Sequence, residues 1–273
     1  MERYFAKSHD GVRIRYEIRG AGAPLALVMG FGGSMRAFGE PFIQLIAREF
    51  KTIVIDNRGT GESDKPSGPW TVVDMAADLA SVLDHVGVER AHVFGISMGG
   101  MIAQEFAVSR PECVSRLVLA STTAGRSRGV SGSPAAVAKL VPPPGLTPAE
   151  AIRRAHEASC SKEFVESPHG RTFVDAMVEE LLKYPLTPMR TLIAQGGAVA
   201  QFDAFDRLDR LTAPTLLIHG DRDEILPHRN SEILHERIRG SELHLIAGVG
   251  HMIVWEAPEE VAETVIDFMR RTM

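Results

Sequence analysis

The 273-residue chain carries a formal net charge of −5 and is 44% hydrophobic and 24% charged. A chain of this length and composition buries a core without disulfides or structural metals, which excludes the disordered, fibrous and cysteine-stapled classes. Its mild acidity, with no basic run, excludes nucleic acid and anionic membrane surfaces as expected partners.

Residues 2–8 and 12–18 read as strands, separated by the Asp-Gly hairpin signal His9-Asp10-Gly11. From there short apolar runs alternate with helical spacing. Leu25–Met29 is a strand, 36–49 a helix, Thr52–Ile55 a strand and 72–86 a helix. Ala91–Ile96 is a strand, 98–109 a helix and Val114–Ala120 a strand. Continuous apolar strands between amphipathic helices predict an α/β fold, with a mostly parallel sheet covered on both faces. The alternation stops near Ser121. Residues 125–146 are rich in Gly, Ser and Pro, and three helical stretches follow. The first opens on Thr147-Pro148-Ala149-Glu150, a capping box with proline in the first turn. The others lie near 170–183 and 188–200. The sheet resumes with strand Thr215–His219, a helix over 228–238, a strand over 242–246 and a terminal helix from Pro258. The expected division is a core of residues 1–121 and 211–273, with a helical cap over 122–210.

Cys113 and Cys160 have no metal-binding spacing and are expected as free thiols, with a single disulfide left open. Met1–Lys7 lacks the apolar core of a signal peptide, and no run reaches the roughly 20 residues of a membrane span. Arg270-Arg271-Thr272-Met273 is no retention or lipidation signal. The expected location is cytoplasmic.

The strongest chemical signal is Gly95-Ile96-Ser97-Met98-Gly99-Gly100, between a strand and a helix. A serine on so tight a turn has strained dihedrals, and glycines on either side remove β-carbons that would clash with passing chain. The turn also puts the serine at a helix N-terminus, where free N–H groups favour negative charge. A serine nucleophile needs a base, and the base an orienting acid. Of ten histidines, His251 lies in a glycine-flanked loop between the last strand and the last helix, able to reach over the sheet edge where Ser97 lies. His219, at a strand end, reads as a core residue. The acid is expected in Gly220-Asp221-Arg222-Asp223, with Asp223 favoured over Asp221 because it stands further over the edge. The main-chain N–H of Met98 should supply one oxyanion donor, and Phe31, in Met29-Gly30-Phe31-Gly32-Gly33, the other.

Taken in order, these residues resemble the α/β-hydrolase superfamily over nearly the whole chain. Asp56-Asn57-Arg58-Gly59-Thr60-Gly61 is similar to the family's loop after the fourth strand. Ala213-Pro214-Thr215, the Gly220-to-Asp223 step and Gly250-His251 also match. The resemblance is to the capped branch of esterases, enol-lactonases and carbon–carbon-bond hydrolases. It implies a carboxylesterase working through an acyl-serine, with Ser97, Asp223 and His251 catalytic and a small ester or lactone as substrate. No organic cofactor and no metal are expected, and nothing sets the oligomeric state. The alternatives are an enol-lactonase or carbon–carbon-bond hydrolase, or, in another class, a ligand-binding protein of this fold with little turnover. Many members have His-Gly where this chain has Met29-Gly30, so support of the oxyanion loop must differ. Arg58 is expected to hold its turn through Asp56 or main-chain carbonyls. Arg126, Arg128, Arg153, Arg154, Arg171 and Arg190 are the candidates to anchor a carboxylated substrate, although solvated surface is expected for each.

Overall fold

A computed structural model describes residues 3–271. Residues 1, 2, 272 and 273, including the start of the first expected strand and the end of the C-terminal sequence, lie outside the described residues. Among the described residues eight strands form one sheet: β1 (Tyr4–Lys7), β2 (Arg13–Arg19), β3 (Ala23–Val28), β4 (Phe50–Ile55), β5 (Ala91–Ile96), β6 (Val114–Ala120), β7 (Thr215–Gly220) and β8 (Glu242–Ile246). Their order is β1-β2-β4-β3-β5-β6-β7-β8, antiparallel at β1/β2 and β2/β4 and parallel elsewhere. The turn joining β1 to β2 is closed by Gly11 N–H to the Ser8 carbonyl, with Gly11 at φ 89°.

Side chains alternate between two apolar layers along the central strands. Leu25, Leu27, Phe94, Ile96, Val118 and Ile218 face one layer, while Ala26, Val28, Val93, Leu117, Leu119 and Leu217 face the other. Both faces must therefore be covered, which is why these strands read as unbroken apolar runs. Helices α1 (Glu40–Ala47) and α11 (Pro258–Arg270) cover the first face. Helices α2 (Val72–Val86), α3 (Met98–Ser109) and α9 (Arg229–Arg237) cover the second. The single helix expected over 36–49 is two pieces, a 3₁₀ turn at Met35–Phe38 and α1. Gly39, at φ 77°, separates them ahead of Pro41.

The segment between β6 and β7 contains α4 (Pro134–Val137), α5 (Pro148–Ser159), α6 (Lys162–Glu166), α7 (Pro168–Leu182), α8 (Met189–Gln201) and a 3₁₀ turn at Phe205–Arg210. The reading of three helices is corrected to five, because α4 and α6 are too short to show periodicity. Their sequence mark is capping alone. Ser133 accepts from Ala136 N–H, Ser161 from Phe164 N–H, and Ser167 restarts the chain as α7 by accepting from Gly170 N–H. The capping box at Thr147 forms as read, with reciprocal bonds to Glu150. A further short helix, α10 (Ile253–Glu256), precedes α11. No helix among the described residues is long and apolar enough to cross a membrane.

Candidate active site

The loops leaving the C-terminal ends of β3, β5, β7 and β8 carry Phe31, Ser97, Asp223 and His251 respectively, so the parallel sheet delivers all four to one edge. Ser97 has φ 58° and ψ −123°, a region that L side chains rarely occupy. The turn is imposed by close packing. A β-carbon on Gly95 would stand 2.2 Å from the Gly99 carbonyl oxygen, and one on Gly99 would stand 2.0 Å from that of Val28. Ser97 N–H donates to the Ala120 carbonyl at 2.9 Å, and the Thr122 hydroxyl donates to the Ser97 carbonyl at 2.7 Å. The main chain of the serine is thus pinned on both sides.

His251 Nδ1–H donates to Asp223 Oδ2 at 2.6 Å, with both side chains buried. The other carboxylate oxygen accepts from the N–H groups of Ile225 and Leu226, each at 2.8 Å. His219, buried in the core as expected, is a second partner of this carboxylate. Its Nε2 lies 2.9 Å from Asp223 Oδ2 and 2.7 Å from the Leu226 carbonyl. Both are acceptors, so Nε2 carries the proton and Nδ1 accepts from the Ser231 hydroxyl at 2.6 Å. Burial alone would raise the Asp223 carboxyl. The charge of His251 and the bonds donated by His219 and His251 outweigh it and hold the group well below the usual carboxylate range. Asp221 does not join this group, since its carboxylate caps Gly248 N–H at 2.7 Å.

The main-chain N–H groups of Phe31 and Met98 bond to no other described residue. The Met29 carbonyl accepts from Asn57 Nδ2 at 2.7 Å. Arg58 does not hold its turn through Asp56. It forms a buried two-toothed pair with Asp78 of α2, both bonds 2.6 Å, and reaches Asp10 of the first hairpin at 2.9 Å. Asp56 instead accepts from the N–H groups of Met35 and Glu62 and from the Tyr184 hydroxyl. No local signal marks the bonds to Asp78, Asp10, Met35 and Tyr184, which join residues distant in sequence.

Ser97, His251 and Phe31 line a cavity of 490 Å³ roofed by the segment between β6 and β7. Leu146, Ile152, Leu181, Leu192, Met252 and Trp255 form its walls, with Pro142–Pro144 at its rim. Among the described residues its lining contains no Arg, Lys, Asp or Glu. None of the six arginines singled out in the sequence reaches it. A cavity of similar size, 510 Å³, lies apart against Glu17, Arg36 and Lys183 and contains neither Ser97 nor His251. Both cysteines are free. Among the described residues no cluster of His, Cys, Asp or Glu is arranged to hold a metal.

The second histidine of the cavity wall, His156, stacks on Trp255 with ring centroids 4.4 Å apart. Burial pushes its pKa down to about 4, against a smaller upward effect of a bond to the Ile152 main chain. The unfolded chain therefore binds the extra proton first as pH falls, and stability conferred by the neutral ring is complete above about 6.5 and lost between there and about 4. His156→Phe keeps the stack and cannot titrate. Urea unfolding is expected to show the wild type losing about 2–3 kcal/mol relative to this variant across that interval. A difference independent of pH would refute the burial of a neutral ring.

A family model described as alpha/beta hydrolase fold matches residues 23–258. A curated relative from Azorhizobium caulinodans, provisionally named carbamate hydrolase RutD, is 31% identical over 96% of this chain and 97% of its own. Among solved structures, the esterase RhEst1 from Rhodococcus superposes with a TM-score of 0.84 at 26% identity, covering 98% of both chains. A thermophilic esterase from Thermogutta terrifontis superposes with a TM-score of 0.80 at 27% identity, covering 99% of this chain and 98% of its own.

Proposed function

The chain belongs to the α/β hydrolase fold family, and on that premise we propose that it is a serine carboxylesterase acting on small to medium uncharged esters. The observation that carries the reading is the Asp223–His251 bond of 2.6 Å, with His251 and a strained Ser97 lining one apolar cavity. Residues 122–210 act as the cap that shapes this cavity.

Because Nδ1 of His251 is committed to Asp223, Nε2 is the nitrogen left to take a proton. Ser97 Oγ attacks the ester carbonyl carbon as Nε2 removes the hydroxyl proton. The carbonyl oxygen becomes an oxyanion held by the free N–H groups of Phe31 and Met98, the latter at the N-terminus of α3. Nε2–H then protonates the departing alkoxide, leaving an acyl-serine. Water, deprotonated by the same nitrogen, attacks it, and the carboxylic acid leaves as Ser97 recovers its proton. Asp223, kept ionised by four donors, fixes the ring orientation and stabilises the imidazolium throughout.

The apolar, uncharged lining favours neutral esters over the carboxylated substrates that a carbon–carbon-bond hydrolase or an acid-bearing lactone would bring. A carboxylate placed against Leu, Ile and Pro side chains loses its water without a partner, a cost of several kcal/mol. Hydrolysis of p-nitrophenyl esters of rising acyl length, alongside p-nitrophenyl hemisuccinate, tests this. Neutral short and medium chains are expected to exceed the hemisuccinate in kcat/KM by at least about 10²-fold. Preference for the charged ester would contradict the assignment of substrate class.

A further inference from the structure

The oxyanion loop contains three glycines in four residues, Gly30, Gly32 and Gly33, and its only internal bond is a long one, Gly33 N–H to the Gly30 carbonyl at 3.3 Å. Such a loop does not hold the N–H of Phe31 to the fraction of an ångström that transition-state stabilisation requires. The restraint comes from the segment between β6 and β7. Gln195 of α8, fully buried, accepts from Gly32 N–H through Oε1 at 2.8 Å. Thr187, two residues before α8, donates its hydroxyl to the Gly32 carbonyl at 2.8 Å. Leu192 of the same helix closes over the residue, so that a β-carbon on Gly32 would stand 2.9 Å from its Cδ2. Both polar groups of Gly32, a residue at φ 68°, are thus held by two side chains from one helical unit.

We infer that Thr187 and Gln195 are positioning residues that clamp Gly32 and thereby aim the Phe31 N–H at the developing oxyanion. The inference rests on the esterase reading. The clamp also settles which amide of the loop is available, because Gly32 N–H is spent on Gln195 and Phe31 N–H is left free. It supplies the support that the Met29-Gly30 sequence leaves wanting. The residues above the pocket then belong to the catalytic framework, in addition to shaping what binds.

Steady-state kinetics of Gln195→Leu, Thr187→Val and Thr187→Ser on one neutral ester tests the clamp, with inhibition by a trifluoromethyl ketone of the same chain length as the second readout. Gln195→Leu is expected to lower kcat about 10- to 100-fold and Thr187→Val about 5-fold, with KM within about 3-fold of wild type. Ketone affinity should fall in step with kcat/KM, because the ketone binds as a tetrahedral oxyanion. Thr187→Ser, which keeps the hydroxyl, should recover activity to within about 2-fold. If Gln195→Leu does not fold, Thr187→Val, at a half-buried position, decides alone. Wild-type kcat in the folded variants, or a rise in KM with kcat unchanged, overturns the clamp. Esterase activity that persists in Ser97→Ala overturns the reading beneath it, so the two failures are distinguishable.

Discussion

Ser97→Ala is expected to lower kcat for ester hydrolysis by roughly 10⁶-fold while leaving the fold intact. In the proposed mechanism the loss is large because Ser97 Oγ forms the covalent bond, and His251 and Asp223 serve only to activate it. What remains should be the modest acceleration due to the oxyanion donors and to binding, which need no hydroxyl. Alanine must still adopt φ 58° and ψ −123° at this turn. The strain of the elbow therefore persists, and its thermal midpoint should stay close to that of the wild type. Ser97→Gly, which can take that conformation freely, should be more stable than Ser97→Ala by about 1 kcal/mol after allowance for its greater unfolded-state freedom. Equal stability of the two variants would show that the elbow is unstrained.

Asp223→Asn is expected to cost about 10⁴-fold in kcat and about 3–5 kcal/mol in stability together. The carboxylate accepts four bonds, two from main-chain N–H groups on Oδ1 and two from histidine rings on Oδ2. An amide has one acceptor, so its NH₂ group faces two donors whichever way it is turned. If it faces the histidines, His251 loses the acceptor that fixes its tautomer. If it faces the loop, the N–H groups of Ile225 and Leu226 are left buried and unpaired. Because the native carboxyl sits below its usual range, its stabilisation is full above about pH 4 and is lost as pH falls through the native value. The wild-type advantage over Asp223→Asn in chemical unfolding should accordingly be largest near neutrality and shrink below about pH 4. An advantage that grew with acidity would contradict the hydrogen-bonding pattern.

The parallel sheet was legible because its determinants are local. Both faces of β3, β5, β6 and β7 are covered, so each appears as an apolar run bounded by turn residues, and α2 and α3 begin and end at the residues their periodicity marks. Elements decided by packing were not legible. Residues 36–49 split at Gly39, and α4 and α6 span four and five residues, below the length at which helical spacing can be seen. In the candidate site, Ser97, Asp223, His251, Phe31 and Met98 could be singled out because each follows a strand and sits in a glycine-marked turn. The residues that hold them had no such mark. His219 reads as the end of an apolar strand, and Gln195 reaches Gly32, next to Phe31, across 163 positions. Those contacts come from tertiary folding, where the sequence period carries no information.

The most direct test of the account is labelling with a fluorophosphonate, followed by mass analysis of the intact protein and its peptides. Ser97 as the activated nucleophile predicts one phosphonyl group per chain, on the peptide containing Gly95–Gly100, at a rate reduced strongly by His251→Ala and abolished by Ser97→Ala. A folded wild type that takes up no label, or carries it on a residue other than Ser97, would contradict the account.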